Sequence, residues 1–354
     1  MQGQGKYKEI SDVYEARILG GEFAAGTPFP SVETICRKFN VARSTAVHAV
    51  SELRRKGLVR TLPSVGSVVA RASRLLGLIL PGVAYSEFFP PILAEISRKC
   101  QRNGFGLLFG DVANPDPVQR ARQAVAFAHD LVSKRPAGVF FQPLTFLDDS
   151  ERTNRAIADV FARAGVPLVL LDCDIVPAPQ RSSFDLVGIN NYDAGRRLGA
   201  HLLDVGVRRV LFVARSACRS VADRADGLSK VLSTSAAFAH VMLDGTKDEV
   251  SFHRAFRRVE PDAVVCANDT IAVHVRKFLD ALSRRVPEDV RLAGFDDSLC
   301  ATILSPPLTT IRQPCADIAS NAFDMMLARL ADPSAAPKEV SLPAPLVVRR
   351  STGR

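Results

Sequence analysis

Tryptophan is absent from the 354 residues, and tyrosine and methionine occur only four times each. Any ring that stacks on a ligand must therefore come from phenylalanine or one of the few tyrosines. The seven cysteines (Cys36, Cys100, Cys173, Cys218, Cys266, Cys300 and Cys315) are odd in number and scattered, with no C-x-x-C and no Cys/His cluster at metal spacing. That pattern argues against zinc and for reduced thiols in the cytoplasm. The chain also lacks a Gly-Lys-Ser/Thr phosphate loop, a G-x-G-x-x-G after a strand and a nucleophile elbow, which removes the commonest routes to nucleotide and acyl-transfer chemistry. No apolar run approaches bilayer length, and no apolar signal region follows Met1. The expectation is a cytoplasmic protein off the membrane, with no catalytic residues, cofactor or metal.

Positive charge is abundant: 46 Lys and Arg face 37 Asp and Glu, a net of +9. Over residues 1–72 eleven basic side chains stand against six acids, an excess suited to a phosphate backbone. The same stretch has an ordered set of local signals. Pro30-Ser31 opens a helix by proline entry and hydroxyl capping, and Ile35, Cys36 and Phe39 give it an apolar stripe. Asn40 tolerates the left-handed turn that lets a second helix start near Arg43, with Ala46, Ala49, Val50 and Leu53 inward and Arg43, Ser44, Val47, His48 and Arg54 outward. Leu58 to Leu62 and Ser67 to Val69 flank Pro63-Ser64-Val65-Gly66 as a β-hairpin wing.

At these residues, about 6 to 70, the chain resembles the GntR-type winged helix-turn-helix of bacterial transcription regulators. The resemblance implies a double-stranded DNA operator as partner. It gives Arg43 the role of principal base reader, with Ser31, Ser44, Thr45, His48, Arg60, Gly66 and Ser67 around it on bases, backbone and adjoining groove. The chain departs from the family pattern at three positions: Ala42 cannot cap as the usual serine does, Val47 replaces a second arginine, and Glu33 stands where many relatives carry an arginine.

From Leu75 onward short apolar runs alternate with helical segments, the signature of a parallel sheet covered on both faces. One series runs through Leu76–Leu80, Gly106–Gly110, Gly138–Phe141 and Val166–Leu171. A second restarts with Leu186–Asn190 and continues through Val210–Val213, Ala263–Cys266 and Val290–Phe295. The expected fold class is α/β: a winged helix-turn-helix over 1–70, a linker at 71–74, and a two-lobe domain over 75–354. Lobe 1 is expected over about 75–183 and 314–336, and lobe 2 over about 184–313 and 337–354.

Gly188-Ile-Asn-Asn-Tyr-Asp-Ala-Gly195, Arg224-Ala-Asp-Gly227, Asn268-Asp269, Gly294-Phe-Asp-Asp297 and Pro306-Pro-Leu-Thr-Thr-Ile-Arg-Gln313 follow one another in order. They look like the LacI-type effector domain, which is similar to periplasmic sugar-binding proteins. That resemblance implies a small-molecule effector closed between two lobes. A homodimer is expected because one small head gives modest affinity and a second half-site supplies the rest. Transferred to matching positions, Asp172, Arg224, Asn268, Asp269 and Asp296 would hold the ligand. An arginine with carboxylates and an amide suits hydroxyl groups, which both donate and accept. Tyr85, Phe88 and Phe89 suit stacking on a sugar or base face and equally suit lobe core. A sugar or sugar derivative is the first expectation and a nucleoside or purine the second, for a ligand-responsive repressor.

Overall fold

The computed structural model describes the chain except residues 1–2, 20–21, 24–25, 63–64, 71–73, 84–86, 113, 115, 146–149, 177–179, 216–217, 234 and 354. Tyr85, most of the expected linker and the Pro63-Ser64 tip of the wing therefore lie outside the described residues.

The N-terminal head comprises α1 (Gly3–Leu19), α2 (Val32–Phe39), α3 (Arg43–Arg55), β1 (Val59–Leu62) and β2 (Gly66–Val69). Ser31 caps α2, its Oγ accepting from the Thr34 N–H at 3.2 Å. Asn40 ends that helix at φ 47°, the left-handed turn an asparagine tolerates. Ala42 precedes α3 with no side-chain cap. The apolar face of α3 (Ala46, Ala49, Val50 and Leu53) closes on Ile10, Tyr14 and Ile18 of α1, on Ile35 and on Phe29. The wing is antiparallel, pairing Thr61 with Ser67 and Leu62 with Gly66, and Gly66 at φ +90° occupies backbone space that favours glycine.

Beyond the head the elements are β3 (Leu75–Leu80), α4 (Phe89–Arg102), β4 (Gly106–Asp111), α5 (Pro117–Ser133), β5 (Gly138–Phe141), α6 (Ser150–Arg163), β6 (Leu168–Leu171), β7 (Asp185–Ile189), α7 (Asn191–Asp204), β8 (Arg209–Ala214), α8 (Arg219–Leu232) and β9 (Ala237–Met242). There follow α9 (Asp248–Val259), β10 (Ala263–Cys266), α10 (Asp269–Ala281), β11 (Arg291–Asp296), α11 (Leu299–Ile303), β12 (Thr309–Arg312), α12 (Cys315–Ala331), β13 (Glu339–Leu342) and β14 (Leu346–Val347). Two six-stranded sheets result. The first has the order β13-β7-β6-β5-β3-β4 and is wholly parallel. The second has the order β14-β12-β11-β10-β8-β9, with only β14 antiparallel.

The strands are continuous apolar runs because both faces of each sheet are covered. In the first sheet Leu78, Phe140 and Val169 face α4 and α12, while Ile79, Val139, Phe141 and Leu170 face α5 and α6. In the second, α7 and α8 pack together on one side, and α9 and α10 pack with β8 to β11.

Two strand assignments depart from expectation. β7 was expected to open the second lobe, yet it pairs with β6 in the first sheet, and β13 pairs with β7 there as well. An all-buried run such as Asp185–Ile189 reads alike in either sheet, and only the long-range pairing decides. Strands β9 and β12 add to the expected set. Between the sheets the chain crosses at Asn190, at Gln313-Pro314 and at Pro343-Ala344-Pro345.

Candidate functional site

The residue following each of several strands faces the same space. Pro81 after β3, Gln142 after β5, Asp172 after β6, Arg215 after β8, Ala267 and Asn268 after β10, Asp296 at the end of β11 and Gln313 after β12 line a cavity of about 450 Å³, with contributions from both sheets. Parallel α/β sheets hold ligands at such C-terminal strand ends, and the volume falls in the usual range for small-molecule pockets. Asp172 and Asp296 stand there at φ 67° and 112°, conformations unfavourable for a side-chain-bearing residue.

Arg224 lies at the centre and is 4% exposed. Its Nε donates to Asn191 Oδ1 at 2.8 Å, its Nη1 donates to the Ala267 carbonyl at 2.7 Å, and the same Nη1 is 3.7 Å from Asp296 Oδ1. The guanidinium also lies 4.8 Å from the centre of the Phe295 ring. Asp296 Oδ1 accepts from Gln313 Nε2 at 2.7 Å. Burial pushes the Asp296 carboxyl up to about 6, against the pull of Arg224 and Gln313 toward ionisation. Burial raises Asp172 too, opposed by Arg224 and by the Gln142 amide.

Three acceptors in this cluster lack donors among the described residues: Gln142 Oε1, Asp172 Oδ1 and Gln313 Oε1 are buried and unpartnered. A buried acceptor left unsatisfied costs about 1–3 kcal/mol. A ligand that brings donors offsets that cost.

Of the sequence-derived ligand residues, Phe88, Phe89, Asp172, Arg224, Asn268 and Asp296 line the cavity. The two phenylalanines are both wall and core: they are buried, and their rings meet edge to face at 5.4 Å. Asn268 also caps α10, its Oδ1 accepting from the Ile271 N–H at 2.8 Å. Asp269 is a correction. Its carboxylate faces the interior of the second lobe, accepting from the Thr310 hydroxyl at 2.7 Å and the Ser298 N–H at 2.9 Å, so it braces β12 and the start of α11 rather than lining the cavity. Burial and the nearby Asp296 raise its carboxyl to about 8. Gln142, Gln313, Arg120, Arg215, Ser220 and His274 also line the cavity and were not nominated. For Gln142 the signal was available, since it directly follows the apolar run Gly138–Phe141, whereas Gln313 closes the Pro306–Gln313 motif after a polar strand, Thr309–Arg312.

On the head, Arg43, Ser44 and Val47 are exposed along one side of α3, with Thr45 half-buried. The Arg43 Nη1 donates to Glu33 Oε1 across the helix-turn-helix. His48 is exposed, with its ring edge-on to Tyr7 of α1 at 6.0 Å. Arg60 is exposed on β1. Ser31 spends its hydroxyl as the cap of α2, and Ser67 Oγ accepts from Arg54 Nη2 at 2.9 Å. Arg54, expected to project outward, therefore ties α3 to the wing. A larger open groove of about 760 Å³ separates head and first lobe, but none of its lining side chains carries a buried polar atom without a partner among the described residues.

Residues 6–69 match the family of bacterial regulatory proteins, gntR family, and residues 200–352 match the periplasmic binding protein-like domain. The chain joins an N-terminal helix-turn-helix to a two-sheet periplasmic-binding-protein-like fold. The chain is 22% identical, over 91% of its length and 98% of the relative's, to the HTH-type transcriptional repressor PurR of Mannheimia succiniciproducens. The transcriptional regulator CelR–cellobiose complex superposes with a TM-score of 0.67 at 20% identity, covering 91% of this chain and 100% of that one. The transcription regulator GntR from Chromobacterium violaceum superposes at 0.63 with 25% identity, covering 78% of this chain and 99% of the other. No helix among the described residues is long and apolar enough to cross a membrane.

Proposed function

We propose that this protein is a sequence-specific DNA-binding repressor of the LacI-like effector type, whose hold on its operator is set by a small polyhydroxylated ligand, a sugar or sugar derivative. The observation that carries the ligand class is the cavity itself. Arg224 and Asp296 stand ready to share hydroxyl groups, and three buried acceptors await donors. Each hydroxyl of a sugar donates one hydrogen bond and accepts others, so a polyol answers both needs. A repressor relative and a cellobiose-bound structural relative favour the same reading. In the head, Arg43 reads base edges while Ser44, Thr45 and the wing hold backbone.

The working unit is a homodimer. Leu299 and Ile303 of α11 are 70% and 72% exposed, and their burial by a second copy removes apolar surface from water. A dimer also supplies two heads for two half-sites.

The test is a thermal-shift screen of sugars and nucleosides on the full chain, followed by DNA binding with each hit. A sugar that raises the melting temperature, changes DNA retention, and does neither in Arg224→Ala supports the reading. A hit confined to nucleosides overturns the ligand class, and hits with no effect on DNA retention overturn the regulatory role.

A further inference from the structure

Glu33 sits in the first turn of α2, facing the first turn of α3, in the middle of the surface that the proposed reading assigns to DNA. A carboxylate there repels phosphate oxygens, so it weakens indiscriminate binding. It is also held ionised: its own backbone N–H, then the Arg43 guanidinium and the Ser31 hydroxyl, keep it below the usual carboxylate range. The side chains of Arg43 and Glu33 are 72% and 59% exposed, so their bond lies on the open face and contributes little to folding.

The bond uses only one edge of the guanidinium. Nη1 donates to Glu33, while Nε and Nη2 have no partner among the described residues. Two parallel donors on one edge are what the O6 and N7 acceptors of guanine require. An arginine with no such tether turns freely to the nearest phosphate instead. Resting on the proposed role of Arg43, we propose that Glu33 is a positioning residue: it clamps Arg43 by the Nη1 edge, making it a guanine reader rather than a phosphate anchor. Affinity for random DNA is given up for discrimination.

The experiment first selects a preferred duplex for the full-length protein from a randomised library. Dissociation constants are then measured for that duplex and a scrambled one across a salt series, with Arg43→Ala, Glu33→Ala and Glu33→Gln. Loss of preference in Arg43→Ala establishes the reader itself. Glu33→Ala is then expected to bind the scrambled duplex more tightly, with a salt slope steeper by about 0.9, and to lower the selected-to-scrambled ratio by about fivefold or more. Glu33→Gln, which is neutral but still accepts a hydrogen bond, is expected to recover most of the ratio while keeping the tighter scrambled binding. That split separates the clamp from simple charge repulsion. An unchanged ratio in Glu33→Ala, or no recovery in Glu33→Gln, overturns the clamp while leaving the reader intact. Preference surviving in Arg43→Ala overturns both.

Discussion

Asp296 is the cavity residue whose buried carboxyl gives the protein a testable pH dependence. Its carboxyl, ordinarily near 3.8, is raised to about 6 chiefly by burial. The folded state therefore holds that proton more tightly than the unfolded chain does. The stability it contributes is complete below pH 4 and is lost as pH climbs through 6. The loss is at most about 3 kcal/mol, since one pKa unit corresponds to about 1.4 kcal/mol. Urea unfolding of the ligand-free protein at pH 4 and pH 7, beside Asp296→Asn, is the check: the wild type is expected to weaken relative to the variant over that interval. Ligand hydroxyls donating to the carboxylate reverse the preference, so affinity is expected to rise from pH 5 to pH 7 with proton release on binding, measurable by calorimetry in two buffers. At this scale much of the cavity was legible. Asp172, Arg224 and Asp296 follow from strand ends and motif positions. Asp269 was misplaced because adjacent residues at a helix start point in different directions, and sequence order does not say which of Asn268 and Asp269 turns inward.

At the scale of elements, the glycines of the recognised motifs have a packing explanation. A Cβ on Gly195 would lie 2.2 Å from the Arg224 carbonyl oxygen, and one on Gly227 would lie 2.0 Å from that of Tyr192. Helices α7 and α8 thus touch backbone to backbone, and that contact positions Arg224 and its partner Asn191. Gly195→Ala and Gly227→Ala are each expected to cost about 1–3 kcal/mol by forcing the helices apart. Ligand affinity should fall with them, as thermal melts with and without ligand would reveal. A stability loss with unaltered affinity would argue against the coupling. Helices α2 and α3, with their cap and turn residues, were readable because the signals are local. The sheet membership of β7 was not, since pairing with β6 or with a second-lobe strand depends on contacts made far along the chain.

For the whole molecule, ligand and operator must be linked. If the ligand shifts operator affinity by some factor, the operator shifts ligand affinity by the same factor. Titrating ligand into protein with and without a selected duplex checks this equality. Leu299→Asp with Ile303→Asp is expected to reduce the sedimentation mass toward one chain and weaken DNA binding, since two half-sites would no longer be held together. The three crossings at Asn190, Gln313-Pro314 and Pro343–Pro345 are the only covalent routes between the sheets among the described residues, and one of them carries the cavity residue Gln313. Any movement of one sheet against the other would therefore displace Gln313 within the cavity.

The position of β13 also bears on biosynthesis. A ribosome delivers β7 about 150 residues before its neighbour Glu339–Leu342, so throughout that interval the nascent first lobe has an open hydrogen-bonding edge beside β7. Unpaired edges of this kind recruit strands from other chains, and late, distant pairing slows maturation. Nascent chains arrested before residue 339 are expected to engage chaperones and to be protease-sensitive around β7, and release of the remaining segment should abolish both.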